Sequence, residues 1–207
     1  MDKEAFRKRC IQRFMRRRYG QDKRVIKNLA LILDALNASD ILAFMPMSHE
    51  PRLLGYFSKL KLKKNIYVPF MQGESFKMVK LRLPIKKKQY GIKEPPNSFF
   101  KAKIDVAIVP VVGVDGDFRR IGFGKGMYDR FFESLRYRPV VIFVQRRLCA
   151  TKKIVSDPYD IQGDFLVTPK KIYIRGDSHV GRDFSRKFCR HYQWRCRLLA
   201  LKKDRKR

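Results

Sequence analysis

One stretch constrains the fold of this chain more than any other: Arg119-Arg120-Ile121-Gly122-Phe123-Gly124-Lys125-Gly126-Met127-Tyr128-Asp129-Arg130. Glycines at alternate positions leave backbone N–H groups unshielded, and Arg120, Lys125 and Arg130 set positive charge beside them, which makes a cradle for an anion. Upstream, Ile104 to Val114 is a nearly continuous β-branched run, the pattern of a strand buried on both faces of a parallel sheet. Downstream, Met127 to Tyr137 carries Phe131, Phe132 and Leu135 at helical spacing. A strand that ends in glycines and reopens as a helix brings the orphan N–H groups of a helix N-terminus to the same cradle. Asp129 falls in the first turn of that helix, where a carboxylate can hold a metal ion bound to the same phosphates. The block is not a Walker loop, since Gly126 rather than Ser or Thr follows Lys125. Nor is it the dinucleotide fingerprint, whose third glycine lies one residue farther on.

The remaining pattern predicts helices over Lys3–Arg18, Lys23–Asn37 and Arg52–Leu62, and buried strands over Asp40–Met47 and Pro139–Gln145. A hairpin is expected from Asn65–Met71 and Phe76–Leu83 across the Gln72-Gly73-Glu74-Ser75 turn, and a late strand after Asp164. The expected fold is α/β: an open, mostly parallel, Rossmann-like sheet flanked by helices on both faces in three layers, with a β-hairpin and a basic C-terminal extension. Residues 1–174 form the α/β domain and 175–207 the extension. A basic amphipathic helix is expected over Phe184–Lys203. The extension also holds Cys189, His191, Trp194 and Cys196, whose spacing is too irregular for a zinc site.

The chain carries 49 Lys and Arg against 19 Asp and Glu, a net charge of +30, which points to polyanionic ligands. Cysteines at 10, 149, 189 and 196 show no Cys-x-x-Cys spacing and no secretory leader precedes them, so a reducing cytoplasm is the expected setting. No apolar run approaches the ~18 residues of a membrane span. On the first helix, Lys3 and Arg7 project from one side and can clasp one anion together. Glu50 falls just past the carboxyl end of a predicted strand, where ligands collect in open α/β sheets, although by itself it reads as a carboxylate at a helix start. His49 reads as a structural or solvent-facing histidine.

The block Arg-Ile-Gly-Phe-Gly-Lys-Gly-Met-Tyr-Asp resembles the signature Arg-Leu-Gly-x-Gly-Lys-Gly-Tyr-Tyr-Asp of the 5-formyltetrahydrofolate cyclo-ligase (5,10-methenyltetrahydrofolate synthetase) family, and the resemblance extends over residues 3 to 174. It implies ATP- and Mg2+-dependent closure of 5-formyltetrahydrofolate, polyglutamylated forms included, to 5,10-methenyltetrahydrofolate. It assigns ATP binding to Lys3, Arg7 and the run Arg120, Ile121, Gly122, Phe123, Gly124, Lys125, Gly126, Met127 and Tyr128. Folate binding falls to Met45, Glu50, Phe123, Gly124, Lys125, Gly126 and Met127, with Glu50 on the pterin. Catalysis falls to Lys125 and Arg120, and magnesium to Asp129 and Asp164. Tyr90, in a stretch similar to the family's Gly-Ile-x-x-Pro, would form an aromatic wall.

Two positions depart from the family pattern. Phe118 stands where a glycine is frequent, and Met127 where a tyrosine is usual. A monomer or weak homodimer without membrane contact is expected. The competing reading is a basic nucleotide- or nucleic-acid-binding module without turnover. No aromatic RNA-binding motif accompanies the charge.

Overall fold

A computed structural model describes residues 1–14, 19–87, 93–98, 102–189 and 196–199. In chain order the elements are α1 (Lys3–Phe14), a short 3-10 turn, α2 (Asp22–Ala35), β1 (Asp40–Leu42), α3 (Leu54–Leu60), β2 (Asn65–Gln72), β3 (Ser75–Lys80), β4 (Lys86–Lys87) and β5 (Lys93–Glu94). There follow β6 (Val106–Pro110), β7 (Gly113–Val114), β8 (Arg120–Ile121), α4 (Met127–Glu133), β9 (Val140–Val144), β10 (Phe165–Val167), β11 (Ile172–Arg175), α5 (His179–Cys189) and β12 (Cys196–Leu199). Eight strands join one sheet in the order β12-β11-β10-β9-β6-β1-β2-β3. Pairing is parallel except where β3 returns beside β2 and β11 beside β10.

The β-branched central strands bury both faces, which is why their sequences read as continuous apolar runs. Val106 and Ile108 face a core shared with Val25, Leu29, Ile32 and Leu33 of α2 and Phe57 of α3. Ala107 and Val109 face the opposite core, which contains Phe131 of α4. The three layers follow from this alternation. Phe184 of α5 packs with the first core, edge-on to Phe165.

Several predicted elements are shorter. The strand expected through Met47 ends at Leu42: Ala43 still donates to the Tyr67 carbonyl at 2.7 Å, but Pro46 has no N–H to continue a ladder. The run Ile104–Val114 divides into β6 and β7, and β7 turns away to pair antiparallel with β8. In the extension, where one helix is expected over Phe184–Lys203, α5 covers His179–Cys189 and Cys196–Leu199 pairs with β11 as a strand. Tyr90, His191 and Trp194 lie outside the described residues.

A reducing cytoplasm keeps thiols free, yet Cys10 on α1 and Cys149 after β9 form a disulfide. The residues around it explain the proximity. Phe6, Cys10, Val112, Ile121 and Cys149 make a small core under α1, all within 1% of complete burial. Gly113 allows this docking, because a Cβ there would lie 2.7 Å from the Phe6 ring.

From β1 the chain moves to β2 on one side, whereas β6 lies on the other side of β1 and leads on to β9. The carboxyl ends of β1 and β6 therefore flank a switch point, where a doubly wound sheet opens a crevice.

Candidate active site

A cavity of about 730 Å³ occupies that crevice. Phe44 and Met45 beyond β1, Pro110 at the end of β6 and Glu50 line it on the sheet side, and Arg120 with the glycine loop closes it from the other.

The loop's shape follows from its glycines. Gly124 and Gly126 have φ of +98° and +59°, conformations that side chains resist, and Gly126 caps the start of α4. Gly122 serves a different purpose. A Cβ there would sit 2.5–2.7 Å from the Arg120 guanidinium, so its absence lets that side chain fold back against the loop. Arg120 is 8% exposed, donates to Asp129 at 3.1 Å and lies 5.0 Å from the Tyr128 ring centroid. Its Nε has no hydrogen-bond partner among the described residues, leaving an unmatched cationic donor at the cavity. Arg130 fixes the far side of the loop by donating to the Lys125 and Glu74 carbonyls.

Arg7 reaches the loop, donating from Nε to the Gly122 carbonyl at 2.9 Å. Lys3 turns elsewhere. Its ammonium pairs with Asp157 at 2.7 Å and with Asp160. Burial depresses the Lys3 pKa, but the two carboxylates outweigh burial and raise it. The two side chains expected to share one anion thus have separate partners.

The carboxylates expected at magnesium are also engaged. Asp129 takes Arg120 on one oxygen and the Ile161 N–H on the other. Asp164, 5% exposed, accepts from the Val141 N–H, Arg175 and the Ser178 hydroxyl. It ties β9 to the end of β11, while Asp129 orients Arg120. Among the described residues no group of three or more His, Cys, Asp or Glu is arranged to hold a metal ion. In the ligand-free chain both carboxylates are thus already paired with protein donors.

Glu50 sits in a reciprocal turn, accepting the Met47 N–H at 2.9 Å while its own N–H donates to the Met47 carbonyl. Its side chain is 11% exposed. Burial pushes the carboxyl up to about 7, against the Met47 bond and the charges of Arg120 and Arg146. Ile121, by contrast, is wholly buried under α1, so only its backbone is available to a ligand. Phe123 is 44% exposed at the cavity.

His49 is the residue that sequence reasoning missed. Its ring lies 4.5 Å from that of Phe123 and lines the cavity. Burial, then the charge of Arg146, lowers its pKa below 6.5, so at pH 7 the 4.0 Å approach to Glu50 is not an ion pair. Its position next to Glu50 was the only available signal. Phe76 and Glu74 of the hairpin also line the cavity, brought there by the β2–β3 pairing.

Phe118 explains one departure from the family pattern. It holds φ +59°, the conformation a glycine would take without strain. Its ring is 2% exposed and stacks on Phe143 at 6.4 Å, so buried area offsets the backbone cost.

Fold and site define an α/β protein with a ligand cleft at the switch point of a parallel sheet, closed by a cationic glycine loop at a helix start. Residues 4–169 match the model of the 5-formyltetrahydrofolate cyclo-ligase family, and the chain belongs to that family of enzymes. It is 24% identical over 172 residues to a 5-formyltetrahydrofolate cyclo-ligase of Mycoplasma pneumoniae, covering 81% of this chain and 98% of that one. It is 25% identical over 151 residues to a protein of the same name from Mycolicibacterium smegmatis, covering 66% and 76%. In fold it is similar to the 5,10-methenyltetrahydrofolate synthetase of Aquifex aeolicus, with a TM-score of 0.74, 24% identity and coverage of 86% of this chain and 95% of the other. The corresponding structure from M. pneumoniae gives a TM-score of 0.60 at 24% identity, with coverage of 81% and 98%.

Proposed function

We propose that this protein converts 5-formyltetrahydrofolate to 5,10-methenyltetrahydrofolate with cleavage of ATP and release of ADP and phosphate. The observation that carries the reading is one cavity with Glu50 on the sheet side and Arg120 and Lys125 on the loop side. That is the arrangement needed for a heterocycle with N–H donors and a polyphosphate.

The formyl oxygen is a poor leaving group. Its attack on the terminal phosphorus expels ADP and converts it to a phosphate ester. The N10 amine then attacks the activated carbon, phosphate departs with the former formyl oxygen, and the N10 proton passes to solvent. No protein nucleophile takes part. The protein aligns the two substrates and balances charge on the transferring group. Glu50 accepts pterin N–H bonds, Phe123 and Met127 lie against the folate, and Met45 lines its floor. Arg120 and Lys125 face the transferring phosphoryl group. Arg7 and the amides from Gly122 to Tyr128 hold the rest of the triphosphate. Lys3 joins them by exchanging Asp157 for phosphate, which keeps its charge paired throughout.

Magnesium would arrive with ATP and would help to neutralise the charge of the phosphates. Asp129 and Asp164 act in this reading as the partners of Arg120 and Arg175. Among the described residues no helix is long and apolar enough to cross a membrane. A cytoplasmic location matches the need for ATP, and the Cys10–Cys149 bridge is shielded there by its burial.

The test is the near-ultraviolet absorbance of the methenyl product on mixing protein with 5-formyltetrahydrofolate, ATP and Mg2+. A rise that needs all of them supports the reading. Folate binding without a rise would point to a binding protein without turnover, and neither binding nor a rise would defeat the reading.

A further inference from the structure

The Glu50 turn belongs to no regular element, yet its carboxylate must be held in place if it is to bind a heterocycle. Two side chains far apart in sequence fasten it. Arg146 follows Gln145 at the exit of β9, and Gln145 is itself fixed there by bonds to the Val112 carbonyl at 3.0 Å and the Cys149 N–H at 3.1 Å. From that anchored point the Arg146 guanidinium makes a bidentate pair with Asp22, at 2.7 and 2.9 Å. The same guanidinium donates to the Ser48 carbonyl at 3.3 Å. Asp22, at the start of α2, also accepts the Arg52 N–H at 3.0 Å.

The pair therefore grips the backbone two residues before Glu50 and two residues after it. Both side chains are buried, 8% exposed for Arg146 and 10% for Asp22. A bidentate guanidinium–carboxylate pair fixes direction as well as distance, which a single ammonium contact does not.

We propose that Asp22 and Arg146 are positioning residues for the folate half of the site, setting the height and direction of the Glu50 carboxylate without touching either substrate. The inference rests on the assignment of Glu50 to the pterin. It predicts an asymmetry that a merely structural ion pair would not produce: loosening the pair weakens folate and spares ATP, whose binding residues lie on α1 and the glycine loop.

The experiment is steady-state kinetics of Arg146→Lys with each substrate varied in turn, beside Glu50→Gln. Lysine keeps a charge opposite Asp22, so no carboxylate is stranded, but it cannot span both Asp22 oxygens and the Ser48 carbonyl. The expected result is a rise in folate KM of about tenfold with ATP KM within about twofold, since small misplacements of a site are costly. Should Arg146→Lys not fold, Asp22→Asn/Arg146→Met, which removes both charges together, is measured in its place against the same criterion. A folate KM within about twofold of the parent, or KM values for the two substrates that rise together, overturns the positioning role. Glu50→Gln separates the causes. If it raises folate KM while the Arg146 variant does not, the clamp is wrong and the pterin assignment stands; if it leaves folate KM unchanged, the assignment fails and the clamp with it.

Discussion

Replacing Glu50 by glutamine should make the ligand-free protein more stable in alkaline solution. Burial raises this carboxyl from 4.5 to about 7. Between those values the folded chain holds a proton that the unfolded chain has released. The stability associated with Glu50 is thus complete below the unfolded value, falls as pH rises from there through the folded value near 7, and is gone above it. At about 1.4 kcal/mol per pH unit, the difference amounts to about 3 kcal/mol lost by pH 8.5, and to about half that if water and the turn relax around the charge. Glutamine cannot ionise and still accepts the Met47 N–H. The variant should match the parent at pH 4 and exceed it at pH 8.5 by about 3–12 °C in Tm, taking about 2–4 °C per kcal/mol for a chain of this size. Thermal unfolding without ligands at the two pH values is the assay. A Tm gap of the same size at pH 4 and pH 8.5 would refute the reasoning, because only ionisation of a buried carboxyl makes the gap depend on pH. Folate affinity should fall in this same variant, so stability and binding move in opposite directions at one residue.

Other outcomes follow from the loop and from α1. Lys125→Ala should lower kcat by about 100- to 1000-fold, as removal of a preorganised charge at a reacting group does; single-turnover formation of the methenyl product at the parent rate would contradict this. Gly122→Ala places a methyl group 2.5–2.7 Å from the Arg120 guanidinium, so Arg120 must leave Asp129. kcat/KM for ATP should fall by about 100-fold with folate binding retained, measured by varying ATP and by folate titration. Lys3→Met should raise the KM for ATP by about fivefold and leave that for folate unchanged. Reducing the Cys10–Cys149 bridge should lower stability by about 2–4 kcal/mol. Cys10→Ser should show the same loss in thermal unfolding, with no further effect of reductant.

How much of this was readable beforehand differs by element. The glycine block gave its own conformation away, because left-handed positions such as Gly124 and Gly126 restrict the residue type locally. The central strands were equally legible, since burial on both faces leaves an apolar run with no polar alternation. Boundaries were less so. The strand begun at Asp40 stops at Leu42, with Ala43 still bonded to the Tyr67 carbonyl, and Pro46 supplies no N–H to carry the ladder on.

The partners of charged side chains were the least legible. Helical spacing put Lys3 beside Arg7 but could not reveal that Asp157 and Asp160 would be waiting for one of them. The resemblance assigns Asp129 and Asp164 to magnesium, and only the structure shows that Arg120 and Arg175 pair with them in the ligand-free chain. Cys10 and Cys149 are separated by 139 residues, and Asp22 and Arg146 by 124, distances over which sequence carries no pairing signal.

The sequence by itself determined the strand–glycine–helix cradle, the apolar layers and the family, because each depends on residue type within a few positions. The tertiary structure decided which charges are paired, where Glu50 and His49 meet the loop, and what fastens their turn. Those depend on electrostatic contacts across the chain, and the sheet order alone brings their ends together.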